Sequence, residues 1–378
     1  MSKKKKNQNK KKIQFLIYAI LLVAGLILSL MPDVEQTPES TVITVPAGDA
    51  PVADAGVAER LPGELLSVHY LDVGQADAFL LEYGGEYVLI DGGNRDDGEY
   101  VISYLQAEGV EELEAVVCTH AHEDHVGGLP AVLAVYPTKA VYAPTNTYSS
   151  KVFDDFLYYI DQQRLELTIP QPGDKLRLGA VELMVLGPVQ SYADPNDTSI
   201  VLRVAHGDNV FLFTGDMERG AEVDMLDYWG VESGIFEADV LKVGHHGSDT
   251  STGYRFLREV NPTYGVIPVG AGNDYGHPHE EPMARLNQAG VVLLRTDELG
   301  TIIARSDGSE ITFTWENQNK SPANAEPAQP VQYIGSKKSA TVHAPDCGSL
   351  PGQQNRVYYD TYEDAIAAGC KPCQGCLG

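Results

Sequence analysis

Short apolar runs separated by turn residues dominate the chain between residues 65 and 316. Residues 78–83 and 86–90 flank Gly84-Gly85, a two-residue turn that predicts a β-hairpin. Residues 99–108 instead have helical apolar spacing and end at Gly109, which predicts a helix. The same criteria predict further strands at 65–73, 115–118, 139–142, 175–186, 199–206, 210–214, 240–243, 264–269, 291–295, 301–306 and 310–315. They predict further helices at 126–135, 219–229 and 253–260.

Strands interleaved with helices predict an α/β fold of two mixed sheets covered by helices. The stretch 32–61 is rich in proline, threonine, alanine and acids and lacks periodic apolar spacing, so it is predicted to be a linker. A second polar, proline-bearing linker is predicted at 317–330. These boundaries leave a main domain at 62–316 and a small terminal module at 331–378.

The N-terminus has the pattern of a membrane anchor. Residues 13–30 carry no charge and follow a segment, 1–12, that contains seven lysines. This length is just sufficient to cross a bilayer, and the lysines favour a cytoplasmic position for 1–12. We expect a single-pass transmembrane anchor at 13–31 and an extracellular main domain. The alternative is a cleaved signal peptide and a secreted protein, but no convincing small-x-small cleavage site follows the apolar run.

Charge narrows the range of partners. The formal net charge is −26, and beyond residue 12 the chain holds 20 basic and 53 acidic side chains. An acidic surface does not attract phosphate backbones over long range. This argues against tight nonspecific binding of nucleic acid, although not against hydrolysis of a phosphodiester at a metal centre.

The run His120-Ala121-His122-Glu123-Asp124-His125 follows a predicted buried strand and precedes a predicted helix. Residues two apart in an extended segment point the same way, so His120 and His122 are placed to bind one ion together. Asp124 and His125 lie where the chain turns into the helix and are placed to face a second ion. Imidazole and carboxylate are common ligands of zinc and related metals.

Further candidate ligands follow other predicted strands. Asp216 ends an apolar strand, where a carboxylate is placed to bridge two ions, although alone it would suggest only a turn. His245 and His246 follow the strand 240–243, and His277 lies near His279 in a third cluster. Seven of the ten histidines therefore fall into three clusters, which is not expected of scattered core histidines.

Seven segments together resemble the metallo-β-lactamase-like domain of ComEC-type DNA-uptake (competence) proteins and their free-standing relatives. They occur in the order LDVGQADAFLL, LIDGG, THAHEDHVGG, NDTSIVLRV, FTGDM, LKVGHHGS and YGHPH. The resemblance covers about residues 65–315 and implies an α/β metallo-β-lactamase αββα sandwich with metals at the sheet edges.

The resemblance also implies a ligand set and its supports. It implies that Asp72 and Asp91 lie beneath the site and steady the ligands through hydrogen bonds. One departure from many metallo-β-lactamases is that Asn196-Asp197-Thr198-Ser199 has no third histidine before the bridging aspartate. The first ion is then weakly held, or uses oxygen ligands and accepts manganese, and function with a single metal is a further alternative. The resemblance implies that His120 and His122 bind one ion, that Asp124 and His125 bind the other, and that Asp216 bridges the two. One histidine of the next pair completes the set; His246 is favoured, and His245 is the alternative.

The terminal module contains four of the five cysteines. His343 and Cys347 together with Cys373 and Cys376 supply four tetrahedral ligands, as in structural zinc sites. Disulfides are the alternative for an exported segment, and Cys370 is able to join either arrangement. The segment 333–376 resembles the metal-binding domain of the Ada DNA-repair protein. Because His343 stands where that family has its methyl-accepting cysteine, the resemblance implies the zinc fold without methyl transfer.

The expected function is that of a membrane-anchored extracellular metallohydrolase acting on phosphodiesters, with DNA among the candidate substrates. Two divalent ions, zinc or manganese, are expected in the main domain and one structural zinc in the terminal module. Asp124 is expected in catalysis, and His277 or Ser248 is expected to contact a substrate phosphate or protonate the leaving group. The alternatives are hydrolysis of another ester, such as a lactone or a cell-wall phosphodiester, and a protein that binds nucleic acid or wall polymer through its zinc module.

Overall fold

The computed structural model describes residues 65–323 and 333–377, except Glu232, Asp346, Asp360 and Thr361. The predicted basic tail 1–12, anchor 13–31 and linker 32–61 lie outside the described residues, as does the stretch 324–330 of the second linker. Within the described part of the chain, no helix is long and apolar enough to cross a membrane.

Up to residue 323 the described residues form fifteen strands and eight α-helices. The strands are β1 (Leu66–Tyr70), β2 (Phe79–Tyr83), β3 (Glu86–Ile90), β4 (Ala115–Val117), β5 (Val141–Tyr142), β6 (Leu167–Thr168), β7 (Lys175–Leu178), β8 (Val181–Gly187), β9 (Val201–His206), β10 (Asn209–Phe213), β11 (Val240–Lys242), β12 (Tyr264–Ile267), β13 (Val292–Arg295), β14 (Ile302–Ser306) and β15 (Ile311–Trp315). The helices are α1 (Gly98–Ala107), α2 (Glu123–Val126), α3 (Leu129–Val135), α4 (Lys151–Gln162), α5 (Arg219–Trp229), α6 (Tyr254–Val260), α7 (Glu280–Gln288) and α8 (Thr296–Leu299).

These strands form two mixed sheets. The first has eight strands in the order β15-β14-β1-β2-β3-β4-β5-β6, and the second has seven in the order β13-β12-β11-β10-β9-β8-β7. One core lies between the sheets and combines side chains such as Val68 and Phe79 with Val204 and Phe213. The alternate side chains of each strand point away from this core, which leaves the outer face of each sheet to be covered by helices.

Each outer face packs against its own helices. Leu80 and Leu89 of the first sheet share a core with α1, α3 and α4, including Phe156. Leu212 and Leu241 of the second sheet share another with α5, α6 and α7. The layers are therefore helix, sheet, sheet, helix, and the predicted αββα arrangement of the main domain is confirmed.

Several elements differ from those predicted. Strand β6 and helix α8 were not predicted, and the predicted helix 126–135 is instead the two helices α2 and α3. Helix α4 was not predicted, although Ser150 caps it by accepting a hydrogen bond from Phe153 N (3.2 Å) and Val152, Phe153, Phe156 and Ile160 form its buried face. Helix α7 was not predicted either. The single strand predicted at 175–186 is instead the antiparallel pair β7 and β8. The turn between them contains Gly179 with a positive φ of 56°, a conformation that glycine adopts readily.

The terminal module is a small four-stranded sheet with one helix. Its strands are β16 (Tyr333–Ser336), β17 (Thr341–His343), β18 (Arg356–Tyr359) and β19 (Lys371–Pro372), and its helix is α9 (Tyr362–Ala367). The module packs against α6 of the main domain. The Tyr254 and Tyr333 rings are 6.5 Å apart, and the Arg258 guanidinium lies 4.7 Å from the centre of the Tyr362 ring.

Candidate metal centre

The candidate ligands meet because four of the strands that precede them end at one edge of the sandwich. Strands β3 and β4 are parallel, as are β10 and β11. The carboxyl ends of parallel neighbours lie side by side, so the segments that follow them converge. Asp91 follows β3, and the run from His120 to His125 follows β4. Asp216 follows β10, and His245 and His246 follow β11.

His120 and His122 form the first pair of ligand atoms. His120 Nε2 lies 3.1 Å from His122 Nδ1. Two nitrogens about 2.0–2.1 Å from one zinc ion are roughly 3.3 Å apart at a tetrahedral angle, so this spacing fits a shared ion. His120 is fully buried, and burial together with the nearby His125 holds the pKa of His120 well below its ordinary value. The imidazole is therefore neutral, as a metal ligand must be.

Asp124, His125, Asp216 and His246 form the second cluster, with one ligand atom of each within 4.8 Å of the others. Asp216 Oδ2 lies 3.3 Å from His125 Nε2 and 3.6 Å from His246 Nε2. Asp124 Oδ2 lies 3.5 Å from His246 Nε2. Both Nε2 atoms are buried and make no hydrogen bond within the described residues. Because a buried polar atom is costly to leave unpaired, these atoms fit a bound divalent ion.

The backbone turn after β11 decides which of its histidines joins this cluster. His245 and His246 both have positive φ values, 49° and 52°, a strained conformation for residues with side chains. The turn buries His246, whose Nδ1 lies 2.9 Å from Pro268 O, so Nε2 faces the cluster. His245 is more exposed, and its Nδ1 lies 3.4 Å from Glu218 Oε1. Its Nε2 lies 3.6 Å from Asp216 Oδ2, but His245 is not part of the four-residue cluster. The structure therefore places His246 in the ligand cluster and His245 beside it.

Asp91 supports His125, as the sequence suggested. Its Oδ2 lies 2.9 Å from His125 Nδ1, and its two oxygens accept hydrogen bonds from the Thr119 amide and hydroxyl at 2.7 and 2.6 Å. A carboxylate on the far nitrogen fixes the ring so that Nε2 faces the metal. The backbone segments that carry Asp91 and His125 pack closely together. A Cβ on Gly128 would lie only 2.1 Å from Gly92 O, so glycine is needed there.

Asp77 and Lys242 complete the buried charges below the site, and sequence reasoning missed both. Lys242 is fully buried, with Nζ 2.8 Å from Asp77 Oδ2 and 3.3 Å from Asp216 Oδ1. Burial alone would lower the pKa of Lys242, but the two carboxylates raise it above its ordinary value, so the amine stays charged. The sequence carried a signal, since a lysine within the apolar strand β11 is rare in a core unless it is paired.

The centre opens into a cleft of about 580 Å³ whose wall includes Asp124, Asp216, His277 and Tyr275. Gln75 Nε2 donates to His277 Nδ1 (3.2 Å), which leaves the proton of the neutral ring on Nε2. Burial, with the nearby His245, lowers the pKa of His277 to about 4. At neutral pH this side chain is therefore an uncharged N–H donor at the cleft wall.

Comparison with known proteins fits this geometry. A family model described as the metallo-beta-lactamase superfamily matches residues 71–270, which is more than half of the chain. The chain belongs to the metallo-beta-lactamase superfamily. The run from His120 to His125 lies within the matched residues, as do Asp216 and His246.

Two curated relatives and one solved structure illustrate what this chain is similar to. ComE operon protein 3 of Bacillus subtilis is 31% identical over 266 residues, which cover 65% of this chain and 34% of that protein. Competence protein ComA of Neisseria gonorrhoeae is 31% identical over 246 residues, 65% of this chain and 33% of that protein. The solved structure of the metallo-beta-lactamase fold protein YhfI of Bacillus subtilis is 13% identical, with a TM-score of 0.42. The match covers 64% of this chain and 100% of YhfI.

Two conclusions follow from the relatives. The resemblance to ComEC-type proteins, predicted from seven short segments, is confirmed. The chain spans about a third of the length of the curated relatives that it matches.

Two predicted site residues lie elsewhere in this metallo-beta-lactamase fold. Asp72 is exposed, and its Oδ1 accepts a hydrogen bond from the Gly74 amide (3.3 Å) rather than supporting a ligand. Asp77, five residues later and fully buried, takes the supporting position. Ser248 is buried in the turn after His246, with its hydroxyl 2.9 Å from Thr250 Oγ1, and it is not among the residues that line the cleft.

The terminal module has a second kind of cluster. Ligand atoms of His343, Cys347, Cys373 and Cys376 all lie within 4.8 Å of one another. Cys347 Sγ is 3.8 Å from Cys373 Sγ, which is the spacing of two thiolates each about 2.3 Å from one zinc ion, and too long for a disulfide. All five cysteines are free. Cys370 stands outside the cluster, with Sγ 3.6 Å from the Tyr359 hydroxyl.

Proposed function

We propose that this chain hydrolyses phosphodiesters with two divalent ions bound at the candidate metal centre. The observation that carries the proposal is the presence of two adjacent ligand groups, the His120–His122 pair and the four-residue cluster around Asp216, at the bottom of one cleft. Membership of the metallo-beta-lactamase superfamily supports a metal-dependent hydrolase more generally. Bound in such a pair, divalent ions supply Lewis-acid stabilisation of phosphoryl charge and activate water.

The residues of the chain set the geometry around that chemistry. Asp216 faces the ligands through Oδ2, while its Oδ1 is held by Lys242. His277 presents a neutral Nε2–H, which we assign to a nonbridging phosphate oxygen or to the leaving oxygen. With a pKa of about 4, His277 is suited to donate a hydrogen bond at neutral pH rather than to act as a cationic acid.

Among the described residues that line the cleft there is no lysine or arginine. Phosphate recognition would therefore rest on the ions and on neutral donors rather than on a basic groove, in agreement with the acidic composition of the chain. The relatives include proteins named for competence, which supports DNA as the diester, bound locally. We further propose that 13–31 anchors the chain and that the hydrolase domain lies outside the cell, on the strength of the uncharged run behind seven lysines.

A substrate panel tests the reaction class. The purified full chain, loaded with manganese or with zinc, would be assayed on bis-p-nitrophenyl phosphate, single- and double-stranded DNA, a lactone and p-nitrophenyl phosphate. We expect diester cleavage that requires added metal and exceeds monoester and lactone cleavage. Cleavage of the small diester without cleavage of DNA would remove the nuclease assignment. Preference for the lactone would replace phosphodiesters with carboxylic esters as the substrate class.

A further inference from the structure

Apart from the bridging Asp216 expected from the sequence, the His120–His122 pair has no further histidine, cysteine or carboxylate ligand among the described residues. Structural and catalytic zinc sites generally have three or four protein ligands. Within the described residues, no histidine, cysteine or carboxylate joins both His120 and His122 in a cluster as close as the other candidate metal sites. The sequence already lacked a histidine between β8 and β9, where many metallo-β-lactamases have one.

Asn196 occupies that region, on the short 3-10 turn Asn196–Thr198. The turn is fastened to both ligand-bearing segments. The Ile200 amide donates to Thr119 O (2.9 Å), next to His120. The Asp216 amide donates to Ser199 Oγ (3.0 Å). Asn196 itself lines the same cleft as His122 and Asp216.

The side-chain amide nitrogen of Asn196 has a hydrogen-bond partner among the described residues, but its oxygen does not. Asn196 is only 8% exposed. Its Nδ2 donates to Glu218 Oε1 at 3.4 Å, whereas its Oδ1 is buried and accepts no hydrogen bond within the described residues. The reverse orientation would put Oδ1 against the Glu218 carboxylate. A buried carbonyl oxygen without a partner costs about 1–3 kcal/mol, so this atom calls for a ligand.

We propose that Asn196 Oδ1 is the third nonbridging protein ligand of the first ion, together with His120 Nε2 and His122 Nδ1. The inference rests on the proposed two-ion centre and specifies its first site. A set of two nitrogens and one amide oxygen is harder than three histidines, and oxygen ligands suit manganese. The first site therefore favours manganese relative to zinc more than a three-histidine site does.

Manganese binding to the full chain tests this assignment without relying on catalysis. Manganese has little preference for thiolates, so a calorimetric titration followed by electron paramagnetic resonance reports on the hydrolase centre rather than on the terminal cysteines. We expect two bound ions in the wild type. In Asn196→Ala one of the two affinities falls at least about tenfold, the scale of losing a support at a metal site. Asn196→Asp combined with Glu218→Gln keeps an oxygen ligand without setting two carboxylates against each other, and restores binding.

Two further variants complete the design. Asn94→Ala removes the same side chain from another part of the cleft wall, where its Nδ2 donates to Asp97 Oδ2 (2.9 Å), and leaves both affinities unchanged. Asn196→His creates a three-histidine set and shifts the first site towards zinc.

The outcomes separate this inference from the proposed function. Two manganese ions bound equally well by the wild type and by folded Asn196→Ala would overturn the role of Asn196 and leave the two-ion hydrolase standing. A wild type that binds no ion at the hydrolase centre would overturn both. A wild type that binds one ion, lost in Asp124→Ala and kept in Asn196→Ala, would also overturn the inference.

Discussion

The two candidate metal centres differ in what holds their ligands in place. In the hydrolase domain the far side of each buried imidazole is already fixed, as in the contacts of His125 with Asp91 and of His246 with Pro268 O. Two large sheets and three cores surround that centre. Among the described residues of the terminal module, the buried apolar cluster comprises Val342, Ala344, Ala365 and Leu377, with partly buried side chains such as Tyr359 packed against it. Protein contacts therefore hold the ligands of the first centre in place, whereas we expect the terminal module to need a bound ion in order to fold.

The largest expected effect is therefore loss of the module without loss of the hydrolase domain. Cys373→Ser removes one thiolate from the terminal cluster, and zinc affinities of such sites correspond to about 10–16 kcal/mol of apparent binding free energy. We expect amide protection to disappear across 333–377 and to persist in the sheets of the hydrolase domain, as measured by hydrogen exchange and mass spectrometry. The matched control is Cys370→Ser, outside the cluster, which keeps the module protected. Amide protection of 333–377 that persists in Cys373→Ser would show that the terminal module does not need its ion in order to fold.

The second effect tests the buried charges beneath the hydrolase centre. Lys242→Met leaves Asp77 buried without its cation, and breaking such a pair typically costs about 3–5 kcal/mol. We expect the free energy of unfolding of the hydrolase domain to fall by that amount in urea titrations. Adding Asp77→Asn to Lys242→Met removes the unpaired charge and recovers part of the loss. A single variant as stable as the wild type would show that the protein does not depend on this pair.

The ligand positions were predictable from the sequence because each lies at the end of a recognisable strand. The local pattern was sufficient for His120 and Asp124, whereas Asp216, which alone would suggest only a turn, also depended on the resemblance to a known family. Helix α4 was equally readable, since Ser150 and the spacing of its buried side chains are local signals.

The supporting residues depend instead on contacts between distant segments. Lys242 meets Asp77 across 165 positions in sequence, a pairing that strand spacing does not reveal. Asp72 and Asp77 are both carboxylates in one short segment before β2, and only the path of the folded chain buries the second rather than the first. The sequence showed only that the segment containing Asn196 lacks a histidine. That Asn196 Oδ1 is buried without a hydrogen-bond partner among the described residues is visible only in the structure.

A smaller effect concerns the turn that carries His245 and His246. Glu222 of α5 is buried and accepts hydrogen bonds from the Thr252 and Gly253 amides. Burial raises the pKa of Glu222 to about 7, from an ordinary value of 4.5. The folded state then holds a proton that the unfolded state releases, so this group's stabilisation is complete below about pH 4.5 and is lost as pH rises to about 7.

The measurement is the free energy of unfolding against pH. Glu222 contributes a decline of up to about 1.4 kcal/mol per pH unit in this window, and Glu222→Gln removes that contribution. Glu218→Gln, a change on the same segment at a more exposed carboxylate, is the control and keeps the decline. An identical pH slope in the wild type and in Glu222→Gln would contradict the assignment.

The smallest effect concerns the contact between module and hydrolase domain. Arg258→Ala removes the guanidinium that lies over Tyr362, and an exposed contact of this kind is worth about 0.5–1 kcal/mol. We expect faster hydrogen exchange in α9 with no change at the metal centre. Tyr358→Ala, which alters a half-exposed ring of the module, serves as the control. Unchanged exchange in α9 would show that other contacts hold the module.

Metal-dependent turnover by the full chain and by Asp216→Asn tests whether this chain is a two-metal hydrolase. Asp216 joins the ligand cluster through Oδ2 and contacts Lys242 through Oδ1, and asparagine preserves its shape while removing its charge. Turnover of bis-p-nitrophenyl phosphate would be recorded against the number of manganese ions bound to each protein. We expect wild-type turnover to rise as the hydrolase centre fills, and turnover to fall at least about 100-fold in a folded Asp216→Asn. Wild-type protein with its centre filled and no turnover, or a variant as active as the wild type, would contradict this expectation.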